Sequence, residues 1–192
     1  MCAADLRRRG LVGATALGMA TRWASAADDS DFWRQWRAGG CVVLMRHATT
    51  EPGTGDPPEF RLGDCRTQRN LSDEGRAQAR RVGQAFAAQG AAAPTVRSSA
   101  WCRCTETAQL AFGAHSVWPA INSFFQGDAG PAQTREVLQA LSAHRAPGNL
   151  VLVTHQVNIS ALTGEYPAMG ELFLTRPPAT DGRLKVLARQ RP

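Results

Sequence analysis

Residues 41–50 read CVVLMRHATT, an apolar run that stops on an arginine and a histidine. A short continuous run of this kind, entered through Gly39-Gly40, predicts a central parallel strand. Such a strand is covered on both faces and leaves no side for polar residues. NLVLVT (149–154) repeats the pattern and stops on a second histidine, His155. A weaker candidate near Pro94–Ser98 ends on Ser98-Ser99, with Arg103 one helical turn further on. Helical patterns separate the three runs. Strands alternating with helices predict an α/β fold, a three-layer α/β/α sandwich around a mostly parallel sheet.

Outward from the first strand, SDFWRQWRA (30–38) predicts a short helix capped by Ser30 or Asp31 and ended by Gly39-Gly40. Residues 49–70 are polar and rich in Gly and Pro, which predicts a long loop; loops of that length in compact domains are usually functional. Ser72 then caps a helix of about 18 residues, with Asp73 and Glu74 suited to the positive end of its dipole. Ala79, Val82, Gly83 and Phe86 fall at i, i+3, i+4 and i+7, one core-facing stripe, and Gly90 ends the helix. A helix from about Trp101 to Phe112 follows the second strand, and a short strand is expected at 116–119. Gly130-Pro131 starts a helix with Val137, Leu138 and Leu141 on one face. A short helix after His155 and weaker strands at 170–175 and 184–189 complete the chain.

The first 26 residues predict a removable export signal. Arg7, Arg8 and Arg9 form a basic start, LVGATALGMA (11–20) a short apolar centre, and Ala24-Ser25-Ala26 a small-residue cleavage site. RRRGLV also resembles a twin-arginine signal, so either the general or the twin-arginine route fits. The expected organisation is a leader at 1–26 and one domain at 27–192, placed in the periplasm or secreted. No apolar run approaches the ~18 residues of a membrane span. The whole chain carries 22 basic and 16 acidic residues; removing four arginines and Asp5 with the leader lowers its formal charge from +6 to +3. Half of the basic excess therefore belongs to the leader, and a nucleic-acid partner is not expected.

Cleavage also removes Cys2 and leaves Cys41, Cys65, Cys102 and Cys104. An oxidising compartment permits disulfides, with three full pairings available. Cys41 opens an apolar strand and reads as a buried thiol. Cys102 and Cys104 are too close in a helix to bridge easily; of the bridges left open, Cys65–Cys102 is the first choice. The chain has no CxxC pair and no His at ligand spacing, so zinc is not expected.

The polar residues that close the three strands are the candidate site. Ligands of open α/β sheets bind beyond the carboxyl ends of the strands. There Arg46-His47, Ser98-Ser99 with Arg103, and Thr154-His155 would converge from separate segments. Each is commonplace alone; two arginines and two histidines on one rim are not.

Four segments also carry a family resemblance. LMRHATT (44–50) resembles the Arg-His-Gly signature of the histidine phosphatase (phosphoglycerate mutase-like) superfamily, with Ala48 in the glycine position. RNLSDEGRAQA (69–79), SSAWCRCTETA (98–108) and LVTHQ (152–156) are similar to its helix start, its second-strand arginine segment and its second-histidine strand. The resemblance implies a phosphomonoesterase in which neutral His47 attacks phosphorus and forms a phosphohistidine. Arg46 and Arg103 would hold phosphoryl oxygens and His155 would stabilise their charge. Arg69 is the first choice for a third phosphate-binding arginine, ahead of Arg61 and Arg66. No metal or cofactor is required by such a scheme.

The proton donor is the gap. The mutase-like branch places a Glu after the third strand, but INSFFQGDAG (121–130) contains none. Asp128 is the nearest carboxylate and the candidate general acid, with Glu51 a further possibility; Gln156 stands where the other branch has its acid. Hydrolase chemistry is expected rather than mutase chemistry. Similarity to small exported lipopolysaccharide-core phosphatases of the superfamily implies a small phosphorylated substrate, a phosphosugar or another envelope compound. Two alternatives remain open: a phosphohistidine-protein phosphatase, and a non-catalytic phosphate-binding protein.

Overall fold

The computed structural model describes residues 30–192 except 54, 91–93, 126–127 and 179–181. The expected leader at 1–26 lies outside the described residues. Six strands form one sheet: β1 (Val42–Arg46), β2 (Thr95–Ser98), β3 (Ser116–Val117), β4 (Leu150–Thr154), β5 (Leu172–Thr175) and β6 (Ala188–Gln190), in the order β3-β2-β4-β1-β5-β6. β1 pairs in parallel with β4, β4 with β2 and β2 with β3, whereas β5 is antiparallel to both of its neighbours. Only β5 thus reverses direction, and the sheet is mostly parallel. The expected strand at 116–119 is shortened to β3, because Pro119 opens a 3-10 turn over Pro119–Ile121.

Alternation along the strands explains the layers. Val43, Met45, Val151, Val153, Leu172 and Leu174 face one way. They meet Phe32, Trp33 and Trp36 of α1 (Asp31–Ala38), Val82 and Phe86 of α2 (Asp73–Ala88), and Cys104 and Ala108 of α3 (Cys102–Phe112). Val42, Leu44, Leu150, Leu152 and Phe173 face the other way. There they meet Val137 and Leu141 of α4 (Gly130–Ser142) and Ile159 and Leu162 of α5 (Gln156–Thr163). Both faces of the apolar strands are covered, as their unbroken hydrophobic runs require.

Helix α1 closes the first layer with aromatic rings. Phe86 meets Trp33 edge-on at 5.0 Å and Trp36 at 4.8 Å between centroids, and both tryptophans are 1% exposed. Two buried indoles in one eight-residue helix give it the tertiary packing that so short a helix lacks in isolation.

The segment 49–70 is a loop, as expected, but an ordered one. Thr50 bridges Leu71, Arg61 bridges Asp64, and Cys65–Thr67 forms a 3-10 turn. A disulfide joins Cys65 to Cys102 across 37 residues of sequence, while Cys41 and Cys104 are buried free thiols. At its far end the loop is locked by α2. Ser72 caps that helix by accepting from the Gly75 amide at 3.1 Å, and a Cβ on Gly75 would lie 1.8 Å from the Thr49 carbonyl oxygen. Only glycine lets the first turn of α2 approach the segment that follows His47.

Candidate active site

The register of β1 against β4 sets Arg46 opposite Thr154, so the next residues on each strand, His47 and His155, emerge side by side. The His47 amide donates to the Thr154 carbonyl at 3.0 Å, and the two imidazoles meet edge-on with centroids 5.5 Å apart. Arg103 reaches the same rim from the first turn of α3. Arg46, His47, Arg69, Arg103 and His155 line one pocket, together with Asp56, Gln156 and Phe125. The five expected pocket residues among the catalytic and phosphate-binding candidates are therefore brought together.

Hydrogen bonding fixes the state of both rings. Nδ1 of His47 lies 2.9 Å from the Ala48 carbonyl oxygen, which can only accept, so Nδ1 carries the proton. Burial, and then the Arg103 charge, push the His47 pKa down to about 3. Neutral with Nδ1 protonated, the ring keeps its lone pair on Nε2. His155 is the mirror case. Nη2 of Arg103 lies 3.3 Å from Nδ1 of His155 and can only donate, so the N–H of the neutral ring is on Nε2, which donates to Ser99 Oγ at 2.8 Å. Ser99 in turn donates to Asn122 Oδ1 at 3.1 Å. Burial, and then His47 and Arg103, lower the His155 pKa well below its ordinary value. In this arrangement His155 orients Arg103 and spends its own N–H on Ser99 rather than on the pocket.

The motif residues beside the histidines act as clamps. Thr107 of α3 donates to the Arg103 carbonyl at 2.6 Å and accepts from the Ala48 amide at 3.1 Å, coupling the nucleophile's neighbour to the arginine's helix. Gln78 of α2 accepts from the Thr49 amide at 3.0 Å and donates to the Met169 carbonyl at 3.1 Å. Ala48 is fully buried against Leu71 and Ala79, so the methyl that replaces the signature glycine is absorbed by a small apolar cluster.

Charge in the pocket is unbalanced. Three guanidinium groups face one carboxylate, Asp56, so with both rings neutral the lining carries a net +2. Burial, and then Arg69 and Arg103, lower the Arg46 pKa, the mark of cations held together. Among the described residues the Nε atoms of Arg46, Arg69 and Arg103 are buried without a hydrogen-bond partner. An unsatisfied buried donor costs about 1–3 kcal/mol, and three on one pocket make an arrangement that a dianion with several acceptor oxygens would relieve.

Two expectations for the proton donor are not met. Asp128 is exposed and lies outside the pocket lining. Phe124 packs on Gly130, at the start of α4, and Phe125 rather than Asp128 lines the pocket. Glu51 is likewise exposed and outside the lining. Arg61 and Arg66 are exposed, which leaves Arg69 as the loop arginine in the pocket. The carboxylate that does enter is Asp56, flanked in sequence by Gly55 and Pro57. It is one of several acids in the loop, and no local pattern distinguishes it.

Phe125 of the pocket lining belongs to a cluster of three aromatic rings. Trp101 lies 4.4 Å from Phe60 and 5.8 Å from Phe125 between centroids, and the Arg103 guanidinium lies 4.5 Å from the centre of the Trp101 ring. Such stacking holds the guanidinium plane in place while leaving its N–H groups free to bond. Among the described residues no group of three or more His, Cys, Asp and Glu could hold a metal ion, and no helix is long and apolar enough to cross a membrane.

Residues 42–123 match the model of the histidine phosphatase superfamily, branch 1. No curated protein matches the chain. Among solved structures, SixA from Agrobacterium tumefaciens, provisionally assigned as a phosphohistidine phosphatase, is 19% identical with a TM-score of 0.55, over 80% of this chain and 98% of its own. TTHB049 from Thermus thermophilus is 21% identical with a TM-score of 0.54, over 79% and 99%. A protein histidine phosphatase SixA solved with tungstate is 14% identical with a TM-score of 0.52, over 79% and 96%. At these identities the likeness is one of fold.

Proposed function

We propose that this chain, whose residues 42–123 match the model of the histidine phosphatase superfamily, is a phosphatase that takes a phosphoryl group onto Nε2 of His47 and passes it to water. One observation carries the proposal. A buried histidine is held neutral, with Nδ1 occupied by the Ala48 carbonyl, in a pocket lined by three arginines. The arginines balance the charge of a phosphate dianion, and the free lone pair is what in-line attack requires. A brief incubation with labelled aryl phosphate, quenched in alkali, should leave label on the peptide containing His47. Binding of inorganic phosphate with neither label nor turnover would instead support a non-catalytic phosphate-binding protein.

On the substrate, two observations pull apart. The fold likeness to SixA structures favours a phosphohistidine on a protein as the phosphoryl donor. The disulfide and the leader-like residues 1–26 favour an exported enzyme acting on a small phosphoester, a phosphosugar or another envelope compound, since disulfides persist in oxidising compartments. Parallel assays with a phosphohistidine-bearing carrier protein and a panel of sugar phosphates would decide. Fractionation with N-terminal sequencing tests export, for which a mature protein beginning at Ala27 outside the cytoplasm is the expected result.

A further inference from the structure

Resting on the phosphatase reading, we propose that Asp56 is the acid that protonates the leaving group, the role for which the segment 121–130 offers no Glu. Asp56 belongs to the loop 49–70, and its side chain is 4% exposed. Nη1 of Arg103 donates to both of its oxygens, at 3.0 and 3.1 Å, and the Arg69 amide donates to Oδ1 at 2.9 Å. Arg103 thus has Asp56 on one terminal nitrogen and His155, beside His47, on the other. A phosphoryl group held by Arg103 therefore has the nucleophile near one end of the guanidinium and a carboxyl group near the other. An in-line displacement needs its attacking and leaving groups on opposite sides of phosphorus.

Arrival of substrate changes the state of this carboxyl group. Alone, Asp56 is paired with Arg103. A phosphomonoester entering as its monoanion brings a proton with it, and two like-charged groups on the same guanidinium favour the state in which that proton is shared with the Asp56 carboxylate. The acid is armed by the group it acts on. Nε2 of His47 then bonds to phosphorus as the bond from phosphorus to the leaving oxygen breaks, and the Asp56 proton passes to that oxygen. In the second half the carboxylate takes a proton from the water that attacks phosphohistidine, which releases inorganic phosphate and returns Asp56 to its protonated form.

The assignment also bears on substrate. An alcohol is a poor leaving group and gains most from a positioned acid, whereas the imidazole of a phosphohistidine can be protonated on its own second nitrogen. A carboxyl group poised here fits a phosphoester better than a phosphoramidate.

Leaving-group dependence tests the idea. For the wild type, Asp56→Asn and Asp56→Glu, kcat/KM is measured with nitrophenyl phosphate, whose leaving group needs little help, and with glycerol phosphate, whose leaving group needs much. Phosphorylation of His47 and the thermal midpoint are followed in parallel. The ratio of the glycerol to the nitrophenyl value should fall about 100-fold in Asp56→Asn, the lower range for loss of a general acid. Asp56→Glu should recover part of that ratio. Equal losses on both substrates would overturn the assignment and leave Asp56 a support for Arg103. Equal gains with tighter inorganic phosphate binding would overturn it too, making Asp56 a plug. A wild type that forms no phosphohistidine on His47 would overturn the phosphatase reading itself, whatever the Asp56 variants do.

Discussion

His47 and Asp56 line one pocket but are held in different ways. His47 directly follows the last residue of β1; its amide bonds to β4, its ring bonds to the next carbonyl, and its neighbour Ala48 is fixed by Thr107 of α3. Two of those three supports are part of the sheet or of a helix packed on it. Asp56 sits far from any regular element in its own loop, and is held by Arg103, by the Arg69 amide and, at longer range, by the Cys65–Cys102 bridge. The attacking side of the pocket is a property of the fold. The opposite side depends on a loop fastened to that fold at few points, which is where variation in chain length and sequence is tolerated and specificity is commonly built.

Perturbing the two sides separately should expose that difference. His47→Ala should have the largest effect, lowering turnover of an aryl phosphate by at least ~10⁴-fold, the scale seen when a nucleophile is removed. Its thermal midpoint should change little by comparison, and steady-state kinetics with calorimetry reads both. Arg103 joins the two sides. Arg103→Ala should lower kcat by about 10²–10³-fold, as for a lost oxyanion donor. Arg103→Lys should not restore it, since a lysine cannot serve Asp56 and His155 through two fixed nitrogens while stacking on Trp101. Full recovery with lysine would reduce Arg103 to a point charge.

Opening the disulfide acts on the loop side alone. Cys65→Ser with Cys102→Ser should cost roughly 4 kcal/mol by the chain-entropy argument for a 37-residue separation. KM should rise while His47 is still phosphorylated at saturating substrate; a loss of phosphorylation would mean that the two sides are not separable. A further test concerns acid. The folded state holds His47 at a pKa of about 3 and His155 well below its ordinary value, while the unfolded chain protonates them near the usual histidine value of 6.5. Between those limits the unfolded state binds more protons, so stability is complete above about pH 6.5 and falls as the pH is lowered towards 3. Thermal unfolding followed against pH should show this slope, and His47→Gln should make it shallower.

The same contrast governs what is legible in the sequence. CVVLMR and NLVLVT can only be buried strands, and strands of one sheet place their final residues on one rim, so His47, His155 and Arg46 follow from local pattern. Arg103 and Arg69 lie in segments similar to family motifs, and Cys65–Cys102 is a first choice that cysteine spacing alone does not separate from Cys65–Cys104. Asp56 is not legible, because its partner Arg103 is 47 positions away and nothing in GDPP reveals that contact. Asp128 is near the third strand in sequence, but it is exposed and Phe125 lines the pocket in its place. The burial of Trp33 and Trp36 cannot be read either, since an eight-residue helix rich in arginine looks like a surface element until Phe86 is found beneath it.

The two unpaired cysteines among the described residues give the domain an internal gauge of its integrity. Cys104 is wholly buried with its thiol pushed up to about 12, and Cys41 is buried with its own raised, so neither offers thiolate to a reagent at neutral pH. The described domain in its native state should therefore react with no fast equivalents of a thiol reagent, and each molecule that opens should release two. Counting modified thiols over time would then measure the rate of opening directly, without substrate and without a probe attached to the pocket.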